Sequence, residues 1–305
     1  GLFPMNLQNP KKFKILLDQA HEVALNVLRP ISRKYDKAEH AYPKELDMLA
    51  SLLDGMNDGG EGINAGAAVG KRGTQDKHNK NGVNMSTALG IVEMCYGDTG
   101  LLLSMPRQGL GNSAIAAVAN DEQLERFKGT WAAMAITEPN CGSDSAAIRT
   151  TAIQDGDDYI LNGEKIFVTS GERSDSVVVW ATLDKKLGRA AIKSFVVPKG
   201  TAGMTVERLE HKLGIKASDT AVIRFDQCRV PAKNLLGHAE IDVAKGFAGV
   251  METFDNTRPL VAAMAIGCAK ASLERIKEIF NLELDSNYAT PYLQCSNLAA
   301  QIYKM

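Results

Sequence analysis

Met134-Ala135-Ile136-Thr137-Glu138-Pro139-Asn140-Cys141-Gly142-Ser143-Asp144, with Asn162-Gly163-Glu164-Lys165-Ile166-Phe167-Val168-Thr169-Ser170-Gly171 a little further on, decides how the chain is read. An apolar strand runs into Thr137-Glu138-Pro139, where proline ends a regular ladder. A Gly142-Ser143-Asp144 turn follows, made of small groups with free amides. The second piece reads as a hairpin with an Asn162-Gly163 turn, whose returning strand sets Ile166 and Val168 on one face and Phe167 and Thr169 on the other. An aromatic ring beside a hydroxyl suits a planar heteroaromatic ligand, the ring covering a face and the hydroxyl meeting a ring nitrogen. An ordinary antiparallel sheet, with Phe167 in its core and Thr169 there for β-propensity, satisfies the same spacing.

The period of two extends outward from this stretch through 132–136, 150–154, 159–161, 165–169, 176–182, 194–197, 204–207 and 221–225, with turn clusters such as Asp155-Gly156-Asp157 and Pro198-Lys199-Gly200 between. Residues 131–240 are therefore expected to form an antiparallel β-barrel or sandwich. Before them the grain is helical. Asn9-Pro10 opens an apolar stripe over 13–28 that Pro30 should end or kink, and Tyr42-Pro43 opens a second helix to Leu53. The glycine-rich run 54–70 and the polar run 71–81 read as loop. Helical spacing resumes over 85–95, breaks at 96–100, returns over 101–105 and 113–119, and Asn120 with Gln123 has capping-box spacing. Residues 1–130 are thus an N-terminal helical domain. From Ala244 a long amphipathic helix begins, interrupted by Pro259 just after Asp255-Asn256-Thr257-Arg258, and residues 241–305 form a partial C-terminal helical domain.

Composition narrows the functional classes. A net charge of −1 over 305 residues gives no electrostatic reason to expect nucleic acid or an anionic membrane as partner, so any polyanion must be met by local groups. Five scattered cysteines without a C-x-x-C pair indicate neither a disulfide framework nor a zinc site, and a reducing compartment is expected. The five histidines contain no H-E-x-x-H and are expected as surface or satisfied core residues, with no metal. No apolar run approaches the ~18 residues of a membrane span. The expected location is cytoplasmic, or the mitochondrial matrix in a eukaryote.

Helix, barrel, helix in that order, with the two quoted motifs, Leu213-Gly214-Ile215-Lys216-Ala217-Ser218-Asp219-Thr220 and Phe254-Asp255-Asn256-Thr257-Arg258-Pro259 in sequence, resembles the acyl-CoA dehydrogenases, over roughly residues 10–280. The resemblance implies FAD as cofactor and an acyl-CoA as substrate, with α,β-dehydrogenation to the trans-2-enoyl-CoA in β-oxidation. Electron-transfer flavoprotein or a similar acceptor is the implied partner, and a homo- or hetero-oligomer, dimer or tetramer, the implied assembly. It also implies roles: Met134, Ile136 and Thr137 along the flavin ring, Phe167 against it, Val168 and Thr169 near its N5 edge, and Ser143 beside the pyrophosphate or pantetheine. Asp255, Asn256, Thr257 and Arg258 match the segment that meets the pantetheine and thioester in relatives. The chain departs from the family at Cys141, where a smaller residue is usual, and after Phe280, where 281–286 replaces an Arg-x-x-Phe-Gly motif. The catalytic base is unknown: the family's glutamate falls in a segment this chain does not contain or, in a minority, at the position of Thr257, and a threonine hydroxyl is too weak. Glu252 lies five helical residues from Thr257 and is turned away from it. A catalytically silent subunit of a mixed oligomer and an acyl-CoA oxidase are the alternatives.

Overall fold

The structure is a computed structural model, and it describes residues 10–57, 83–241 and 248–284. Among the described residues, seven α-helices precede the sheet. A 3₁₀ turn at Pro10–Phe13 leads into α1 (Lys14–Val23), a single π-helical turn at Ala24–Leu28, and α2 (Arg29–Lys37). Pro30 neither ends nor breaks this rod: it sits in the first turn of α2, directly after the widened π turn, where its missing N–H and ring bulk are tolerated. α3 (Glu45–Asn57) runs beyond the expected end at Leu53, and the rest of the expected glycine-rich loop lies outside the described residues. α4 (Val83–Gly97), α5 (Thr99–Leu103), α6 (Leu110–Val118) and α7 (Asp121–Arg126) follow. Asp98 caps α5 by accepting from Leu101 N at 2.7 Å, and the Asn120–Gln123 capping box at the start of α7 forms as expected.

The sheet has seven strands: β1 (Ala132–Ala135), β2 (Thr151–Asp155), β3 (Asp158–Thr169), β4 (Ser176–Thr182), β5 (Ile192–Pro198), β6 (Met204–Leu209) and β7 (Thr220–Pro231). Its order is β1-β4-β2-β3-β7-β6, with β5 on the other side of β4. The sheet is mixed, which corrects the expectation of an antiparallel one: β4 pairs in parallel with β1 and, at Thr151–Thr182, with β2. β4 is buried along its whole length, as a strand covered on both faces must be. Val177, Val179 and Ala181 join a core filled by the inward side chains of the other strands, among them Phe195, Ile223 and Val230. Val178 and Trp180 face Ile115 and Leu124 of the helices.

The Asn162-Gly163 hairpin does not form, and the reason is tertiary. The two residues lie inside the continuous twelve-residue strand β3, paired along its length with β7, and the actual β2–β3 hairpin turns at Gly156. The register slips between Leu161 and Gly163 because β7 carries an extra residue there. Asn162 Oδ1 accepts from the backbone N–H of Gln227 at 2.8 Å, holding that bulge. Gly163 is required at its site: a Cβ on it would lie 2.3 Å from Thr150 Oγ1.

α8 (Ala248–Leu284) continues unbroken through Pro259. It lies against α4, where Leu260, Ala263 and Met264 pack on Ile91, Met94 and Cys95. At Gly267 the two helices approach so closely that a Cβ would stand 2.3 Å from Val92 O.

Candidate active site

The 134–144 stretch and β3 are fastened to each other. Ile166 N donates to Thr137 O at 2.9 Å. Beneath that link lies an ion pair that sequence reading passes over, between Glu138 Oε1 and Lys165 Nζ at 2.8 Å, with side chains 6% and 0% exposed. Lys165 also donates to Ile136 O at 3.0 Å. The Glu138 carboxylate further accepts from Arg149 N, Thr150 N and Thr150 Oγ1 at 2.7, 2.9 and 2.6 Å. Burial alone would push the Glu138 carboxyl up, but the charge and hydrogen bond of Lys165, with those of Thr150 and Arg149, hold it below the usual carboxylate value. Burial lowers Lys165, against the pull of Glu138. A lysine directly before the apolar run Ile166-Phe167-Val168, with a Thr-Glu-Pro turn earlier in the chain, was the available sequence signal.

A second irregularity in β3 shapes the wall. Between Lys165 and Val168 the strand carries one residue more than β7, and Phe167 adopts φ +58°, unusual for a bulky residue. Simple alternation therefore fails. Lys165 and Val168 both turn inward and are 0% exposed, whereas Ile166, Phe167 and Thr169 face a common cavity. Val168 belongs to the sheet core, so its side chain is not on the cavity wall where the sequence reading put it. Phe167 is not a core ring either, being 61% exposed. Strain at such a residue is retained where the surrounding structure over-determines it, commonly at a site of function.

The cavity holds about 660 Å³, within the range of cofactor and substrate clefts. Met134, Ile136 and Thr137 supply one wall, Ile166, Phe167 and Thr169 the next, and Gly142, Ser143 and Asp144 the lip. α8 closes it with Met251, Phe254, Thr257, Arg258 and Val261, a stripe at helical spacing, and Leu110 of α6 completes it. Of the residues singled out from sequence, Met134, Ile136, Thr137, Ser143, Phe167, Thr169, Thr257 and Arg258 are thus brought together. Asp255 is exposed and does not line the cavity; the side chains of Asn256 and Glu252 lie outside the described residues. Arg258 lies over the Phe254 ring, 5.4 Å from its centroid, and the described residues contain no Arg258–Asp255 ion pair. The Thr257 hydroxyl is buried and donates to Phe254 O at 3.4 Å. Behind Thr169 and Thr257 a small apolar recess continues between Leu103, Leu110, Leu260 and Met264. Met251 and Val261 were legible only as packing residues, because which side of a buried helix meets a cleft depends on its partners.

The acyl-CoA dehydrogenase middle-domain family model matches residues 133–228. A short-chain specific acyl-CoA dehydrogenase of Clostridium acetobutylicum is 30% identical over 281 residues, covering 90% of this chain and 69% of the relative. Acryloyl-CoA reductase (NADH) of Anaerotignum propionicum is 40% identical over 169 residues, covering 53% of this chain but only 42% of the relative. Several relatives are thus matched over about half their length or less. The butyryl-CoA dehydrogenase structure from Megasphaera elsdenii superposes with a TM-score of 0.77 at 28% identity, over 99% of this chain and 76% of that one. With its helices, mixed sheet and ordered motifs, the chain belongs to the acyl-CoA dehydrogenase family of FAD-dependent oxidoreductases.

Proposed function

We propose that the chain carries out α,β-dehydrogenation of an acyl-CoA thioester, giving the trans-2-enoyl-CoA, in a FAD-dependent reaction of the β-oxidation type. The observation that carries this reading is the single cavity in which Thr137, Thr169 and the α8 stripe of Phe254, Thr257 and Arg258 meet.

The residues fit the cofactor. Hydroxyls of Thr137, Ser143 and Thr169 stand among Met134, Ile136, Ile166 and Phe167, the mixture a flat heteroaromatic ring with polar edges requires. Phe167 is strained outward toward that space, and a Cβ on Gly142 would meet only the Thr137 methyl, at 3.8 Å, leaving room on the lip. FAD, when bound, supplies the acceptor for the hydride leaving Cβ. The protein's part is placement. Thr169 and Thr137 fix the ring by hydroxyl contacts, Ser143 meets phosphate or pantetheine at the turn, and Arg258 offers a fixed positive charge to the thioester enolate or the CoA phosphates. Cα must also lose a proton. Asp144 is the only carboxylate among the described residues that line the cavity, and it lies exposed on the lip, away from the buried Thr257 side of the cleft.

The apolar recess behind Thr169 and Thr257 measures about 40 Å³ against about 660 Å³ for the cavity itself, and we take it as the end of a short acyl chain. The test is the visible spectrum of purified protein before and after anaerobic addition of butyryl-, octanoyl- and palmitoyl-CoA. Yellow protein bleached fastest by the butyryl thioester is the expected outcome. Colourless protein, or flavin that no thioester bleaches, overturns the activity; equal bleaching by all three overturns the short-chain assignment; peroxide released in air marks an oxidase instead. A two-chain assembly in which only the other subunit holds flavin would make this chain the silent partner.

A further inference from the structure

The connection between α2 and α3 brings Glu39 and His40 against His211, which follows β6 from 172 positions further along the chain. One carboxylate oxygen of Glu39 and one nitrogen of each histidine all lie within 4.8 Å of one another. His211 Nδ1 is already 3.0 Å from Glu39 Oε2, and the two imidazole centroids are 5.1 Å apart. The other carboxylate oxygen, Oε1, is held by the backbone N–H of Lys212 at 2.9 Å, so the carboxylate is oriented from behind. The Lys212 ammonium points elsewhere, to Ser218 O and Thr220 Oγ1 at 2.5 and 2.7 Å.

His40 is the informative member. Both of its ring nitrogens are buried, and neither has a hydrogen-bond partner among the described residues, although a buried polar nitrogen left unmatched is costly. Its backbone is held at φ +71°, in the left-handed region, and Arg173 Nη2 pins the next peptide by donating to Ala41 O at 2.9 Å. The backbone that carries the ring is thus held beside Glu39 and His211, and the ring keeps an unused lone pair. A sheltered imidazole without a hydrogen-bond partner, beside a second imidazole and an oriented carboxylate, has the composition of a three-ligand zinc site with an open position. Around an ion bound at about 2.0–2.1 Å, ligand atoms stand roughly 3.3 Å apart in tetrahedral geometry. The His211–Glu39 pair already has close to that spacing, and His40, within 4.8 Å of both, needs a shift of no more than about one bond length.

We propose that Glu39, His40 and His211 bind one transition-metal dication of the zinc class, fastening the helical segment to the β6–β7 loop. The donor set selects the ion: two imidazoles and a single carboxylate suit zinc, whereas magnesium and calcium require several oxygen ligands. In this arrangement the dication takes the place of the His211–Glu39 contact, and water fills the remaining position. The site stands apart from the cavity described above, since none of its residues lines it, and it does not depend on the dehydrogenase reading.

The experiment uses tag-free full chain stripped with chelator and titrated with zinc chloride, with magnesium chloride as the comparison, alongside His211→Gln and Glu39→Gln. The His211 side chain is 84% exposed, so its replacement leaves packing intact. One equivalent of zinc is expected to bind the parent chain and raise its melting temperature. Affinity should fall about tenfold or more in each variant, the scale seen when a metal site loses a supporting group. Cobalt in place of zinc should give tetrahedral visible bands that His40→Gln abolishes. Absence of zinc binding, equal affinity in the parent and His211→Gln, or equal response to magnesium would each overturn the proposal.

Discussion

Glu138 and Lys165 show how a single pair can decide whether the site exists. An ion pair this deep gains little over an apolar substitute, but removing one partner strands the other. Glu138→Gln should therefore cost about 3–5 kcal/mol in urea unfolding, while Glu138→Gln combined with Lys165→Met should recover most of it. Equal loss in the single and double variants would show that the hydrogen bonds to Thr150 and Arg149 matter more than the charge. The pair also sets an acid response. The folded-state pKa of Glu138 lies below its unfolded value, so its contribution is complete above the unfolded pKa and is lost as pH falls through the folded one. Stability should decline on acidification below about pH 4, the ordinary carboxylate range, and more steeply in the parent than in the double variant. Thr169→Ala tests the cavity itself. Removing one hydroxyl hydrogen bond should weaken flavin by ~1 kcal/mol with melting temperature nearly unchanged, as measured by equilibrium dialysis of FAD.

Elements were legible where their causes are local. Asn120 and Gln123 sit three residues apart and satisfy each other's backbone within one turn, so the start of α7 could be read directly. Gln123 also reaches beyond the helix, donating to Leu235 O at 2.6 Å and accepting from Gly237 N at 2.9 Å, ties that no local pattern reveals. Gln123→Ala should accordingly lower thermal stability more than Asn120→Ala, which is expected to cost about 1 kcal/mol. Equal effects would confine Gln123 to its capping role. β3 is the converse. Asn162-Gly163 has the best short-range hairpin signature in the chain, yet pairing with β7 on one side and the approach of Thr150 on the other outweigh it. The bulge that turns Phe167 outward is equally non-local, since it arises from a count of residues on two strands that only pairing brings together. Motif identity therefore pointed to residues that share one cavity wall, while strict alternation put Ile166 on the face of Val168, although only Val168 enters the core.

At the scale of the molecule, the cleft is assembled from parts that are each anchored elsewhere. The sheet fixes Thr137 and Thr169 through its own core, and α8 is fixed through α4, so the stripe from Met251 to Val261 arrives at the cavity as a rigid edge. Nothing in α8's sequence says which side meets the cleft, because Phe254 and Val261 follow the same helical period as the residues that face α4. In the proposed reading, the sheet wall meets the cofactor and α8 meets the substrate. Arg258 is exposed, lies over Phe254 and, among the described residues, makes no hydrogen bond or ion pair to a strand of the cavity wall. Arg258→Gln should therefore leave FAD content and melting temperature close to the parent's. Loss of a charge-assisted contact worth about 1.5–3 kcal/mol corresponds to roughly a tenfold to hundredfold fall in kcat/KM for the acyl-CoA. Stopped-flow reduction by butyryl-CoA, read beside the flavin-to-protein absorbance ratio, separates the two effects. Parallel loss of flavin and turnover would show that the helix holds the cofactor wall in place; turnover falling alone assigns Arg258 to the thioester or the CoA phosphates.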